Sequence, residues 1–194
     1  MPETSPSTLL KSAEPPDESN SLVFPLSDFY RRNEHSLPPL EEVEPLRIPQ
    51  PHRSLLVHEH DMTSTLETFH RGRIHLRIVS RARKGGDYFR EVALQLEGSN
   101  KPVEFGAIKI NLDLFPTEAQ ARILEEHWPL GRILKDNHIK FTSRPVGYLR
   151  IASDPLINEV LGLSGAHLLF GRRNRLSDSS GKSLAEIVEI LPPA

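Results

Sequence analysis

Three tight-turn signals, each set between two runs of strand-forming residues, constrain this chain more than any other feature. Lys84-Gly85-Gly86-Asp87 separates an alternating run over 73–83 from a second over 88–97. Gly98-Ser99-Asn100 follows and leads into a third run, 103–112. Near the end, Asp178-Ser179-Ser180-Gly181 divides 166–176 from 182–191. Gly and Asn tolerate the positive φ that hairpin turns need, and strands joined by so few residues must run antiparallel. Helical signals lie between the runs. Asp61 is placed to cap a helix over 62–70, where Met62, Leu66 and Phe69 share a stripe. Phe115-Pro116-Thr117 opens another, with Thr117 and Gln120 spaced as a capping box. Pro129-Leu130-Gly131 starts a short one, and Asp154 caps 155–161 with Pro155 at the first helical position. Residues 139–152 read as extended, broken near Pro145. The pattern predicts a single α+β domain over 51–194, a mostly antiparallel sheet with helices packed over one face.

Upstream the chain changes character. Prolines crowd the first 51 positions, and proline removes a donor and restricts the residue before it. Residues 1–20 read as a disordered Pro/Ser-rich tail and 21–50 as an irregular extension. Leu22, Val23, Phe24, Phe29 and Tyr30 give that extension side chains to bury.

Composition removes several classes of function. The chain has no cysteine, so disulfides, thiolate metal sites and a Cys nucleophile are excluded. A net charge of -2 gives no overall pull toward nucleic acid or an anionic membrane. No apolar run has the length of a membrane span, and the first residues lack the basic start and apolar stretch of a secretory signal. The expectation is a cytoplasmic protein whose partner is a small molecule, with neither nucleic acid nor membrane.

Charged residues on apolar strand faces are the chemical signal. Along 88–97, Tyr88, Arg90, Val92, Leu94 and Leu96 share one face, and Phe89, Glu91, Ala93 and Gln95 the other. An Arg among apolar neighbours must be ion-paired or must bind an anion. In the last strand, Ala185, Ile187, Glu189 and Leu191 alternate with Leu184, Glu186, Val188 and Ile190. Each face carries one Glu, so periodicity leaves open which points inward. An inward Glu has a raised pKa and suits acid chemistry near neutral pH. At 129–131, free N–H groups of a helix start, with Gly131 allowing close approach, form a weak anion signal.

Read in order, these segments resemble the chorismate–pyruvate lyases. Leu56-Val57-His58-Glu59-His60-Asp61-Met62-Thr63 is similar to the family's early acidic stretch running into Met-Thr at a helix start. Arg90-Glu91-Val92 resembles its Arg-Glu-aliphatic strand, and Pro129-Leu130-Gly131-Arg132 matches its Pro-Leu-Gly-Arg. Gly171-Arg172-Arg173-Asn174-Arg175-Leu176 looks like its Gly-Arg-Arg-Ser-Arg-Leu, and Ser180-Gly181-Lys182 with Glu189 and Pro192 resembles its closing hairpin. The order holds over roughly 52–192; the proline-rich extension has no counterpart.

The resemblance implies a lyase that eliminates pyruvate from chorismate to leave 4-hydroxybenzoate, without cofactor or metal. Arg90 and Glu189 would be catalytic. Arg90 and the backbone at Leu130 and Gly131 would hold a carboxylate, Glu189 would contact the far end of the ring, and Met62 would line the pocket. Glu189 rather than Glu186 rests on the resemblance alone. By the same resemblance, the fold group includes UTRA-like effector domains of bacterial transcription regulators. A non-catalytic module binding an aromatic or carboxylate ligand is therefore the alternative. Arg172, Arg173 and Arg175 offer a nucleic-acid reading, but a strand alternates them between a solvated and an ion-paired face. His58, Glu59, His60 and Asp61 offer a metal reading, but loop histidines of this spacing read as solvated.

Overall fold

Alternation and turn chemistry place the strands closely. The computed structural model describes residues 21–194, so the tail read as disordered over 1–20 lies outside the described residues. Seven strands form one antiparallel sheet: β1 (Leu40–Glu42), β2 (Ile74–Lys84), β3 (Asp87–Leu96), β4 (Pro102–Asn111), β5 (Thr142–Ala152), β6 (Leu168–Ser177) and β7 (Ser183–Leu191). Their order is β1-β5-β6-β7-β4-β3-β2. The three turn signals become the β2–β3, β3–β4 and β6–β7 connections, with Gly85, Gly98 and Gly181 at positive φ. Pro145 interrupts the β5–β6 register, as a residue without an N–H must inside a ladder.

Among the described residues six α-helices accompany the sheet: α1 (Leu26–Arg32), α2 (His52–Leu56), α3 (Met62–His70), α4 (Thr117–Leu124), α5 (Leu130–Asp136) and α6 (Pro155–Leu161). Asp61 caps α3 by accepting from Ser64 N at 2.9 Å, and Asp154 caps α6 by accepting from Ile157 N at 2.8 Å. The box expected at Thr117 and Gln120 does not form. Pro116 is the cap, and Gln120 Nε2 donates backwards to the Phe115 carbonyl at 2.9 Å.

The helices cover both faces of the sheet, where one covered face was expected. Tyr88, Ile108 and Ile110 pack under α4 and α5, and Val92 and Leu94 under α2 and α3. On the reverse face, Phe89, Ala93, Phe105, Val188 and Ile190 pack under α1 and α6. Besides the expected α6, this cover comes from α1, in the segment read as irregular. Pro25 sits just ahead of α1, where proline is tolerated, and Leu26, Phe29 and Tyr30 then form one buried stripe. The Tyr30 hydroxyl donates to Asp154 Oδ2 at 2.7 Å, tying α1 to the α6 cap.

Two covered faces mean that the polar residues of both are buried. Glu91, on the α1/α6 face, is 1% exposed, and burial lifts its carboxyl to about 7, with nearby Asp154 adding to the shift and the Ser80 hydroxyl opposing it. An unfolded carboxyl near 4.5 releases its proton earlier than the native one does. Between these values the native state binds more protons, so this group makes stability fall as pH rises from 4.5 to 7. The loss reaches up to about 3 kcal/mol by pH 8. Glu91→Gln is expected to flatten the difference between urea midpoints measured at pH 5 and pH 8. An unchanged difference in that variant assigns the slope elsewhere.

Candidate functional site: a cavity between α3, α5 and the sheet

A register row brings the charged residues together. Arg90 pairs with Ile108 of β4, and Ile108 with Ile187 of β7. One row on, Val92 pairs with Gly106, Gly106 with Glu189, and Glu189 with Arg172 of β6. These side chains alternate onto one face, so Arg90 and Glu189 point the same way from rows about 7 Å apart. Over them lie α3 and α5, and between helices and sheet is a cavity of about 60 Å³. Met62, Arg90, Leu130, Gly131 and Glu189, the five residues singled out in the sequence, all line it, together with Glu104.

Arg90 is 2% exposed. Its Nε has no hydrogen-bond partner, and its Nη1 reaches the Ile123 carbonyl only at 3.5 Å. No carboxylate lies within ion-pair distance of it among the described residues. Glu126, whose charge acts on Arg90 from a distance, is occupied by Arg81 at 2.5 Å and by the Tyr88 hydroxyl. Burial lowers the Arg90 guanidinium to about 10, which leaves it charged at neutral pH. The sequence reading of this residue left two options, a structural ion pair or an anion from outside. The geometry lacks the first.

The second buried arginine on this face is fully partnered. Arg172 Nε donates to Glu189 Oε2, and its Nη atoms donate to the carbonyls of Leu56 at 3.1 Å, His58 at 3.0 Å and His60 at 3.3 Å. Arg172 therefore fastens the segment that runs into Asp61 and Met62 at the head of α3. Two of the sequence motifs, 56–63 and 171–176, meet in this one side chain. The expectation that this run alternates between an ion-paired and a solvated face holds for Arg173 and Arg175, which are paired, and fails for Arg172, which is buried rather than solvated. Arg173 and Arg175 share Glu186 on the reverse face, at 3.0 Å and 2.8 Å. The choice between Glu186 and Glu189 is thus made by the neighbouring strand: Glu189 faces the cavity.

Leu130 and Gly131 begin α5, so their N–H groups have no acceptor within the helix. The Asp61 carboxylate already lies against Gly131, its Oδ1 2.8 Å from where a Cβ would stand. Negative charge at this helix start is supplied by the chain itself, which leaves Arg90 as the cation facing the cavity. His58 and His60 stack on each other, and His58 Nε2 lies 2.7 Å from the Leu55 carbonyl.

Glu104 went unread in the sequence. It is 4% exposed, its Oε2 has no partner, and burial raises its pKa well above the carboxylate range, with Glu189 reinforcing the shift and Arg172 opposing it. The signal was available: Glu104, Gly106, Ile108 and Ile110 share a strand face, as Arg90 does with its apolar neighbours.

The cavity is smaller than a ring. An apolar void of ~150 Å³ holds one benzene. A ring-bearing ligand thus requires α3 or α5 to yield. A larger cavity of about 480 Å³ lies between α2, α3 and the end of β7, with His52, His70 and Lys101 as its polar groups. The buried cation and the buried carboxyls facing it belong to the smaller one.

No family model matches this chain, and no curated protein does. Solved structures do. PhnF from Mycobacterium smegmatis superposes with a TM-score of 0.54 at 12% identity, over 70% of this chain and 64% of PhnF. The effector domain of the same protein superposes with a TM-score of 0.52 at 11% identity, over 68% of this chain and 88% of that domain. Gene product SA0254 from Staphylococcus aureus superposes with a TM-score of 0.50 at 6% identity, over 62% of this chain and 83% of that one. At these identities the likeness establishes the fold, a single α+β domain built on an antiparallel sheet, and the fold alone.

Proposed function

We propose that this domain binds a small aromatic carboxylate in the cavity under α3 and α5, with the carboxylate on Arg90. One observation carries the reading: a buried guanidinium without a counter-ion among the described residues, in the wall of a cavity. A planar guanidinium matches a carboxylate bidentately, and in a dry site the pairing is strong. Val92, Leu94, Ile108 and Leu130 supply apolar walls for a ring. The likeness to the effector domain of PhnF supports a ligand-binding module, the UTRA-like reading of the sequence.

A second reading adds catalysis to the same pocket. The five residues implied by the resemblance to chorismate–pyruvate lyases converge on one cavity, which supports that chemistry here. In chorismate the ether C–O bond would break, the adjacent ring carbon would give up its proton, and pyruvate would leave as its enol. The ring becomes aromatic as 4-hydroxybenzoate, so positioning and charge placement carry much of the work. Arg90 would fix the ring carboxylate, and Glu189, held by Arg172, would face the far end.

Incubation of the purified protein with chorismate, followed by chromatography for pyruvate and 4-hydroxybenzoate, separates the two. Stoichiometric binding without pyruvate leaves the module; pyruvate with 4-hydroxybenzoate in equal amounts makes it a lyase. If chorismate, 4-hydroxybenzoate and benzoate all fail to bind, the carboxylate reading is wrong.

A further inference from the structure

The cavity contains a group that neither reading assigns. Glu104 stands two residues from Gly106 on the same face of β4, and its Oε1 lies 2.9 Å from where a Gly106 Cβ would be. The carboxyl therefore folds back over the bare backbone of Gly106, into the register row that holds Glu189. A side chain at 106 would deny it that place. Two carboxyls thus share one end of the cavity with a single buried arginine, Arg172. That arginine donates its Nε to Glu189, and its Nη atoms are taken by backbone carbonyls.

We propose that Glu104 is a binding residue that donates a hydrogen bond from its carboxylic acid to an oxygen of the ligand, at the end of the ring remote from Arg90. This rests on the carboxylate reading of the same cavity. The charged groups around it are Glu189 on β7, Arg172 on β6, Arg90 on β3 and Asp61 at the head of α3. With one arginine between two buried carboxyls and that arginine's Nε given to Glu189, Glu104 is the carboxyl left without a cation, so its neutral, protonated form is the less costly one. Burial raises the Glu104 acid well above its ordinary range, which agrees with this division. Its Oε2 has no partner among the described residues, so a donor is available to a guest. The ligand class that fits is a ring with a carboxylate at one end and a hydroxyl or ether oxygen at the other.

The test compares 4-hydroxybenzoate with benzoate by titration calorimetry on the full chain. The wild type is expected to prefer 4-hydroxybenzoate by about tenfold, the ratio that one hydrogen bond in a dry site supports. Glu104→Gln, still a neutral donor, keeps the preference. Glu104→Leu binds both acids alike, near the benzoate affinity of the wild type, and melts no lower than wild type because it removes a buried polar group. Equal binding of the two acids by the wild type overturns the role of Glu104. So does a preference that survives in E104L, or an equal loss of both acids there. Binding of neither acid by the wild type is a different failure: it removes the carboxylate reading itself, and this inference with it.

Discussion

Replacing Arg90 by methionine is expected to stabilise the ligand-free protein while abolishing ligand binding. The guanidinium is buried, and among the described residues its Nε is unpartnered and no carboxylate pairs with it. A buried charge in that condition costs free energy that a flexible apolar side chain of similar length does not. Arg90→Met should gain about 1–3 kcal/mol, read from urea midpoints without ligand. Affinity for 4-hydroxybenzoate should fall at least about 100-fold, because a buried charge pair loses one member. The two changes run in opposite directions, which marks a residue retained for function at the expense of stability. A variant that loses stability by a similar amount in the absence of any ligand would make Arg90 a structural residue.

Arg172→Met is expected to do the reverse. This arginine is 0% exposed, and its donors are taken up by Glu189 and three carbonyls of the segment leading to α3. Its removal strands a buried carboxylate and three backbone acceptors. The expected loss is about 3–5 kcal/mol, the range for breaking a buried pair by deleting one partner. Urea unfolding and the protection of the 56–63 amides against hydrogen exchange read it directly. Arg172→Met, Glu189→Met together should recover part of the loss, since the stranded charge goes too. If the double variant is less stable than Arg172→Met alone, the stranded-carboxylate account fails. Two arginines on one sheet face, both buried, thus carry opposite stability signatures, and what separates them is the presence of an internal partner.

Much of this was legible from residue order. The hairpins followed from glycine positions, and the α3 and α6 starts from Asp61 and Asp154, because caps and turns are local. Arg90 was legible because period-2 alternation sets a charge among Tyr88, Val92 and Leu94. Glu189 against Glu186 was not legible within its own strand. The decision lies in β6, where Arg172 stands opposite Glu189 and Arg175 opposite Glu186, and pairing partners are not written in one strand's pattern. Glu104 was missed although its face pattern matches that of Arg90. The cover on the reverse face was missed because prolines suggested irregular chain over 21–50. Short elements fit between them: α1 follows Pro25, and β1 lies between Pro39 and Pro45.

The clamp formed by Arg172 also decides how a ring could reach a void of about 60 Å³. Of the two lids, α3 hangs from a strap pinned to the sheet by three arginine–carbonyl bonds. The other, α5, rests on the packing of Ile133 and Leu134 and is braced to α4 through Arg122 and Asp136 at 3.0 Å. Apolar packing slides where a set of charge-assisted bonds does not. A ring is therefore expected to enter past the α4–α5 pair, and cross-linking that pair to the sheet should slow entry and exit of the guest without altering the chamber it leaves behind.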